Sequence, residues 1–230
     1  MPNWCNNFVR INGNPKSVSL IKMKVDEIRH YEHDSEGNVI KEGDNLFSTL
    51  VGLGLKEAGM TLTQYNEGGW YEHNRSRFGT KWDPTTAKFW VDDFVKDDGD
   101  GNSEIVMNIT TAWSPCIPFL ILLSEKYAVN IEVQSEEEGE SIYLTCTISN
   151  GKVTHYEDYP YDEGVYKCDN SHFWDSVVPN AIEYAYEECD EDDYESAKEE
   201  LKKQFHFVSE KDLATILGEY DEYVKEQIEC

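Results

Sequence analysis

The chain has 230 residues, 39% of them hydrophobic and 13% aromatic, and a net charge of −26. That is enough apolar material for a core, and no run approaches the roughly 18 apolar residues that a membrane helix needs. No basic-then-apolar leader is visible, and the six Cys are scattered without a CxxC pair, so free thiols and a cytoplasmic setting are expected.

Cys5 to Ile11 alternates as a half-buried strand, with Phe8 as the expected inward residue. Asn14-Pro15 is a helix cap followed by proline at the first helical position, and Val18, Leu20, Ile21, Val25 and Ile28 continue a helical stripe to Arg29. Residues 34–38 read as a loop, and Leu46 to Leu55 is apolar but too glycine-rich for a settled helix. The region 30–84 is therefore expected to be one long insertion. It runs into WYEHNRSRFGTKWDPTTAKFW at Trp70–Trp90, which holds three of the six Trp and the basic residues His73, Arg75, Arg77, Lys81 and Lys88.

Thr86 to Val95 and Ser103 to Trp113 read as strands joined by the turn-rich 96–102, and Ser114-Pro115 is expected to open a second helix. Strands at 129–135 and 141–149 follow, and Asn150-Gly151 is a two-residue hairpin turn into Lys152–Tyr156. The order β-α-insertion-β-β-α-β predicts an α+β fold, a ferredoxin-like split βαβ antiparallel sheet over residues 1–160. Residues 161–230 form an acidic helical segment, with helices expected at 181–188, 193–205 and 209–228 and Ser209–Asp212 as a capping box.

Three short motifs occur in order: MPNWC at the start, GTKWD at Gly79–Asp83 and TAWSPC at Thr111–Cys116. Together they resemble the YubB-like ferredoxin-domain family of phage- and plasmid-encoded proteins, over residues 1–155. The resemblance implies a fold and a mobile-element setting, and implies no reaction. Cys116 departs from it where a second proline is expected, and the acidic tail has no counterpart in it.

Asn3, Trp4, Lys81, Trp82, Asp83, Trp113 and Ser114 come from the three motifs and are candidates for one site, joined by Arg75 and Arg77. Indole faces with a few oriented polar groups and cations suit a nucleotide, another small anion, or a protein anchor. The plainer alternative is a set of buried Trp satisfied by Asp83 or Asn3, with solvated cations around them. No nucleophile elbow, P-loop or dinucleotide fingerprint is present. Asp98-x-Asp100-x-Asn102 opens like a calcium loop but lacks the Gly and the final Glu, so no metal and no cofactor are expected.

The charge is uneven. Residues 1–90 carry 11 basic and 11 acidic side chains, 91–150 carry 2 and 12, and 151–230 carry 7 and 23. An acidic rear excludes non-specific binding of long nucleic acid through that face. The leading expectation is a non-enzymatic interaction protein, cytoplasmic in a host, that acts as an acidic decoy for a host nucleic-acid-handling protein. The alternative is a site for a nucleotide or other small anion, binding or enzymatic, around Trp4, Lys81, Asp83 and Trp113.

Overall fold

Strand β1 (Trp4–Gly13) decides the architecture through its alternation. Cys5, Asn7, Val9 and Ile11 are buried, while Trp4, Asn6, Phe8 and Arg10 lie on the other face. Phe8 thus points outward, 47% exposed, against the expectation of an inward aromatic. The reason is the period of two, which ties Phe8 to the face of Trp4 and Arg10. The inner position goes to Asn7, made tolerable in the core by its hydrogen bonds. Its Nδ2 donates to Ile109 O at 2.8 Å and Thr111 Oγ1 at 2.9 Å, and its Oδ1 accepts from Cys116 N at 3.2 Å and Ser135 Oγ at 2.9 Å.

The computed structural model describes residues 3–29, 32–33, 39–41, 45–85, 88–92, 95–97, 101–137, 139, 141–188 and 194–229. They divide into two units, Met1–Asp158 and Tyr159–Cys230. In the first unit, α1 (Pro15–Arg29) starts where Asn14 Oδ1 accepts from Lys16 N at 2.9 Å. A small hairpin, β2 (Glu32–His33) and β3 (Val39–Lys41), follows, then α2 (Leu46–Val51). The expected loop at 34–38 lies outside the described residues.

Glycine ends α2 rather than preventing it: Gly52 has φ 81°, and the buried Leu46, Phe47 and Leu50 secure the short helix. The chain continues through α3 (Leu62–Gln64), a π-helical turn (Tyr65–Gly69) and α4 (Trp70–Phe78). The last is a helix that the sequence conceals, because two of its three buried residues, His73 and Asn74, are polar.

The rest of the unit is β4 (Phe89–Val91), β5 (Lys96–Asp97), β6 (Ser103–Ala112), α5 (Ile117–Tyr127), β7 (Val129–Glu137), β8 (Ile142–Ser149) and β9 (Lys152–Tyr159). The expected strand over 86–95 contracts to β4, with 86–87 and 93–94 outside the described residues, as are 98–100 of the calcium-like loop. Helix α5 begins at Ile117, not at Ser114, because the Ser114 hydroxyl donates to Gly79 O at 2.6 Å and so does not cap the helix. Asn150 and Gly151 both have positive φ, 50° and 71°, as the tight hairpin turn requires.

The sheet order is β4-β6-β1-β7-β8-β9, with β5 also on β6. Strands β4, β6, β1 and β7, antiparallel throughout, form with α1 and α5 the ferredoxin-like split βαβ unit, and β8 and β9 extend it. Helices α1, α2 and α5 share one apolar core with one face of the sheet, built on Val9, Ile11, Ile21, Phe47, Phe119 and Ile131.

The second unit holds α6 (Tyr161–Cys168), α7 (Asn170–His172), α8 (Val178–Glu188), α9 (Tyr194–Gln204) and α10 (Glu210–Glu229). Buried Phe173 packs with Tyr166 and Phe205, ring centroids 5.0 and 5.7 Å away. The expected capping box is half formed. Asp212 N donates to Ser209 Oγ at 3.1 Å, but the Asp212 carboxylate accepts from the Ser209 and Tyr166 hydroxyls and not from the Ser209 amide. Aspartate is one methylene shorter than the usual glutamate.

Candidate functional site

Helix α4 ends on Gly79, whose φ of 83° reverses the chain. The following Thr80 is buried and clips the loop to the end of β6: its Oγ1 donates to Ala112 O at 3.0 Å and accepts from Ala112 N at 3.2 Å. Asn74 Nδ2 donates to Lys81 O at 3.1 Å from the helix side. These bonds bring Lys81 and Trp82 beside the first residue of β1. At the same end Trp113 N donates to Asn3 O at 3.0 Å, so the three motifs meet at one corner of the sheet.

The corner is a layered aromatic and cationic patch. The Trp4 and Trp82 rings lie 6.0 Å apart, tilted by 37°. Lys88 Nζ sits 3.6 Å from the Trp4 ring centroid, and Lys81 Nζ sits 4.5 Å from that of Trp82 and 5.7 Å from that of Tyr71. Arg75 stands over the same Tyr71 at 5.6 Å. Trp4, Trp82 and Trp113 remain 37%, 38% and 44% exposed. Among the described residues no carboxylate pairs with Lys81 or Lys88.

Not every candidate belongs to the patch. Asp83 turns away and caps α2: its two carboxylate oxygens accept from Phe47 N at 2.6 Å and Ser48 N at 2.8 Å, while Pro84 O takes Leu46 N at 2.9 Å. Burial pushes the Asp83 pKa up to about 6, against the pull of the Ser48 and Phe47 donors. Arg77 holds the other end of α2, donating to Gly52 O at 2.9 Å. Opposite charges thus sit where the helix dipole favours each. Asn3 lays its carboxamide against Gly139, where a Cβ would come within 2.6 Å, and Ser114 braces Gly79.

Burial pushes the Cys5 thiol up to about 12 and raises that of Cys116 too, so both stay protonated. Among the described residues no three His, Cys, Asp or Glu side chains gather as a metal site, and no helix is long and apolar enough to cross a membrane. Lys88, grouped in the sequence with Arg75, Arg77 and Lys81, lies on the Trp4 ring; sequence reasoning missed Tyr71 as the ring beneath Lys81 and Arg75, and it missed the open face of the sheet. The alternation Trp4-Asn6-Phe8-Arg10 was the available signal for that face.

Residues 88–173 match the model of the ferredoxin-like domain in Api92-like protein. The chain is also similar to the crystal structure of protein api92 from Yersinia pseudotuberculosis, with 9% identity, a TM-score of 0.43, and coverage of 69% of this chain and 98% of that one. No curated protein matches. The matched segment takes in β4 to β9 and stops short of Trp4, Lys81 and Trp82. Residues 88–173 are therefore similar to the ferredoxin-like domain of Api92-like protein.

Proposed function

We propose that the chain is a non-catalytic binding protein whose ferredoxin-like unit takes a nucleotide or similar planar anion at the Trp4–Trp82 corner. The observation that supports this is a pair of ammonium groups, Lys88 and Lys81, held against two exposed indoles with no carboxylate of the described residues neutralising them. A phosphate satisfies the cations, and a base can stack on the aromatic faces that remain open. The YubB-like resemblance of the three motifs supports reading it as an accessory protein of a phage or plasmid that acts in the host cytoplasm.

A second reading, the acidic decoy for a host nucleic-acid-handling protein, is favoured by α10. There Glu219, Glu222 and Glu226 are exposed at i, i+3 and i+7, one ridge of carboxylates. Partial desolvation along the helix and the neighbouring Glu222 raise the pKa of Glu219.

Tryptophan-fluorescence titration with nucleoside mono- and triphosphates separates the readings. Saturable quenching is expected, weakened about tenfold or more in Lys81→Ala/Lys88→Ala, because two charge-assisted contacts are lost, and unchanged in Glu219→Gln/Glu222→Gln/Glu226→Gln. If the parent shows no saturable quenching, or the lysine variant binds as the parent does, the nucleotide reading is wrong. Capture of a host protein that only the glutamine variant loses would then support the decoy.

A further inference from the structure

The face of the sheet opposite α1, α2 and α5 carries a row of side chains across five strands. Register places Trp90 beside Asn108, Asn108 beside Phe8, Phe8 beside Gln134, and Gln134 beside Thr145. Phe8 and Trp90 are 47% and 51% exposed. No hydrogen bond holds the Asn108 or Gln134 carboxamide among the described residues. The next row brings Arg10 beside Glu132, and Glu132 beside Thr147. Phe8, Arg10, Gln134, Thr145, Thr147 and His155 line a shallow depression of about 380 Å³ here.

We infer that this face is a track for a short single-stranded nucleic acid, running from the Trp4–Trp82 corner over Phe8 and Trp90. The inference rests on the nucleotide reading of that corner and names its ligand class. Three observations carry it. First, the aromatic faces stand apart in a polar field: Asn6 and Thr110 lie between Trp4 and the Phe8 row, and Asn108 lies between Phe8 and Trp90. An apolar helix or strand from a partner would want continuous apolar cover, whereas separate π faces suit separate bases.

Second, the spacing fits a chain of nucleotides. Phe8 and Trp90 are two strands apart, roughly 10 Å, and Trp4 is four residues from Phe8 along β1, roughly 13 Å. Free carboxamides beside the stacking rings can bond base edges. Third, the cations sit at one end. Lys88 and Lys81 offer phosphate positions at the corner, while Arg10 on the track faces Glu104 at 3.7 Å. Glu104, Glu132 and Glu136 share the open face, so a long polyanion is disfavoured and a few nucleotides are what the track accepts.

Fluorescence anisotropy of the full chain tests this with labelled oligothymidylate and oligouridylate of about eight nucleotides, and with a labelled mononucleotide. The two oligomers distinguish DNA from RNA as the source. Both variants, Phe8→Ala/Trp90→Ala and Gln134→Glu, alter exposed or half-exposed side chains. The second adds a negative charge without removing any packing, and so guards against a folding defect in the first.

At least one oligomer is expected to bind about tenfold or more tighter than the mononucleotide, and each variant to remove most of that gain while leaving the mononucleotide affinity unchanged. Oligomers that bind no tighter than the mononucleotide, or that bind both variants as they bind the parent, would overturn the track and leave the corner reading standing. Oligomer binding that depends on Phe8 and Trp90, with no mononucleotide binding, would overturn the corner as a nucleotide site and, with it, a track that starts there, leaving only stacking on the open face. Absence of binding by every probe overturns both.

Discussion

Asp83 shows how far two adjacent side chains can part. Trp82 is 38% exposed on the patch, and the next residue is buried as the cap of α2. In the sequence they read as one motif, because only the path of the backbone after Gly79 separates their directions. Asn7 was equally hidden: an asparagine inside a strand looks like a surface residue until its acceptors and donors are seen on β6 and β7 and at the start of α5.

The buried carboxylate has a measurable signature. Its folded-state pKa of about 6 lies above its ordinary 3.8, so folding favours the protonated form. Its contribution to stability is therefore fully present below about 3.8 and is lost as the pH rises through about 6, by on the order of 3 kcal/mol at most. Other carboxylates titrate too, so the informative quantity is the stability of the parent minus that of Asp83→Asn, from denaturant unfolding. That difference should shrink between pH 4 and pH 7. A difference that grows would mean that the two amide donors outweigh desolvation.

Among the elements, those whose burial follows a simple period were legible. Helix α1, the long strands and the Asn150-Gly151 hairpin all announced themselves through alternation or caps. Helices α2 and α4 did not, for physical reasons that differ. Helix α2 is six residues long, and Asp83 at one end and Arg77, Lys126 and Tyr127 at the other hold it from distant parts of the chain. Helix α4 buries a polar face, His73 on Leu53 O at 2.6 Å and Asn74 between Tyr65 and Lys81, which a hydrophobic pattern cannot reveal.

The junction from α4 to the patch depends on one glycine. A Cβ at Gly79 would meet Pro118 Cδ at 2.6 Å and Pro115 O at 3.0 Å, on a backbone with φ 83°. Gly79→Ala is expected to destabilise the fold by about 1–2 kcal/mol from the left-handed conformation, with the contact adding to it. Thermal unfolding measures this. A variant as stable as the parent would show that Gly79 does not fix the entry to Lys81 and Trp82.

At the scale of the molecule, composition and structure agree on an uneven division of charge. Residues 159–230, the second unit, carry 6 basic and 21 acidic side chains, whereas residues 1–90, which supply Trp4, Lys81, Trp82 and Lys88, are balanced. The anion recognition proposed for a chain of net charge −26 would then be local, resting on two cations set against indoles, not on a basic field spread over the surface. The ferredoxin-like frame was readable from element order. The open face was not, because assigning Phe8 to the core removed the residue that defines it.

The six tryptophans make the central claim directly observable. Two-dimensional NMR of the indole N–H groups in the full chain, during titration with oligothymidylate, reports each ring separately. The expected result is that the Trp4, Trp82 and Trp90 signals move with one saturating dependence on ligand, while that of Trp174 stays in place. Signals from Trp4, Trp82 and Trp90 that do not move, or a shift as large at Trp174, would contradict a recognition surface on this corner and face of the sheet.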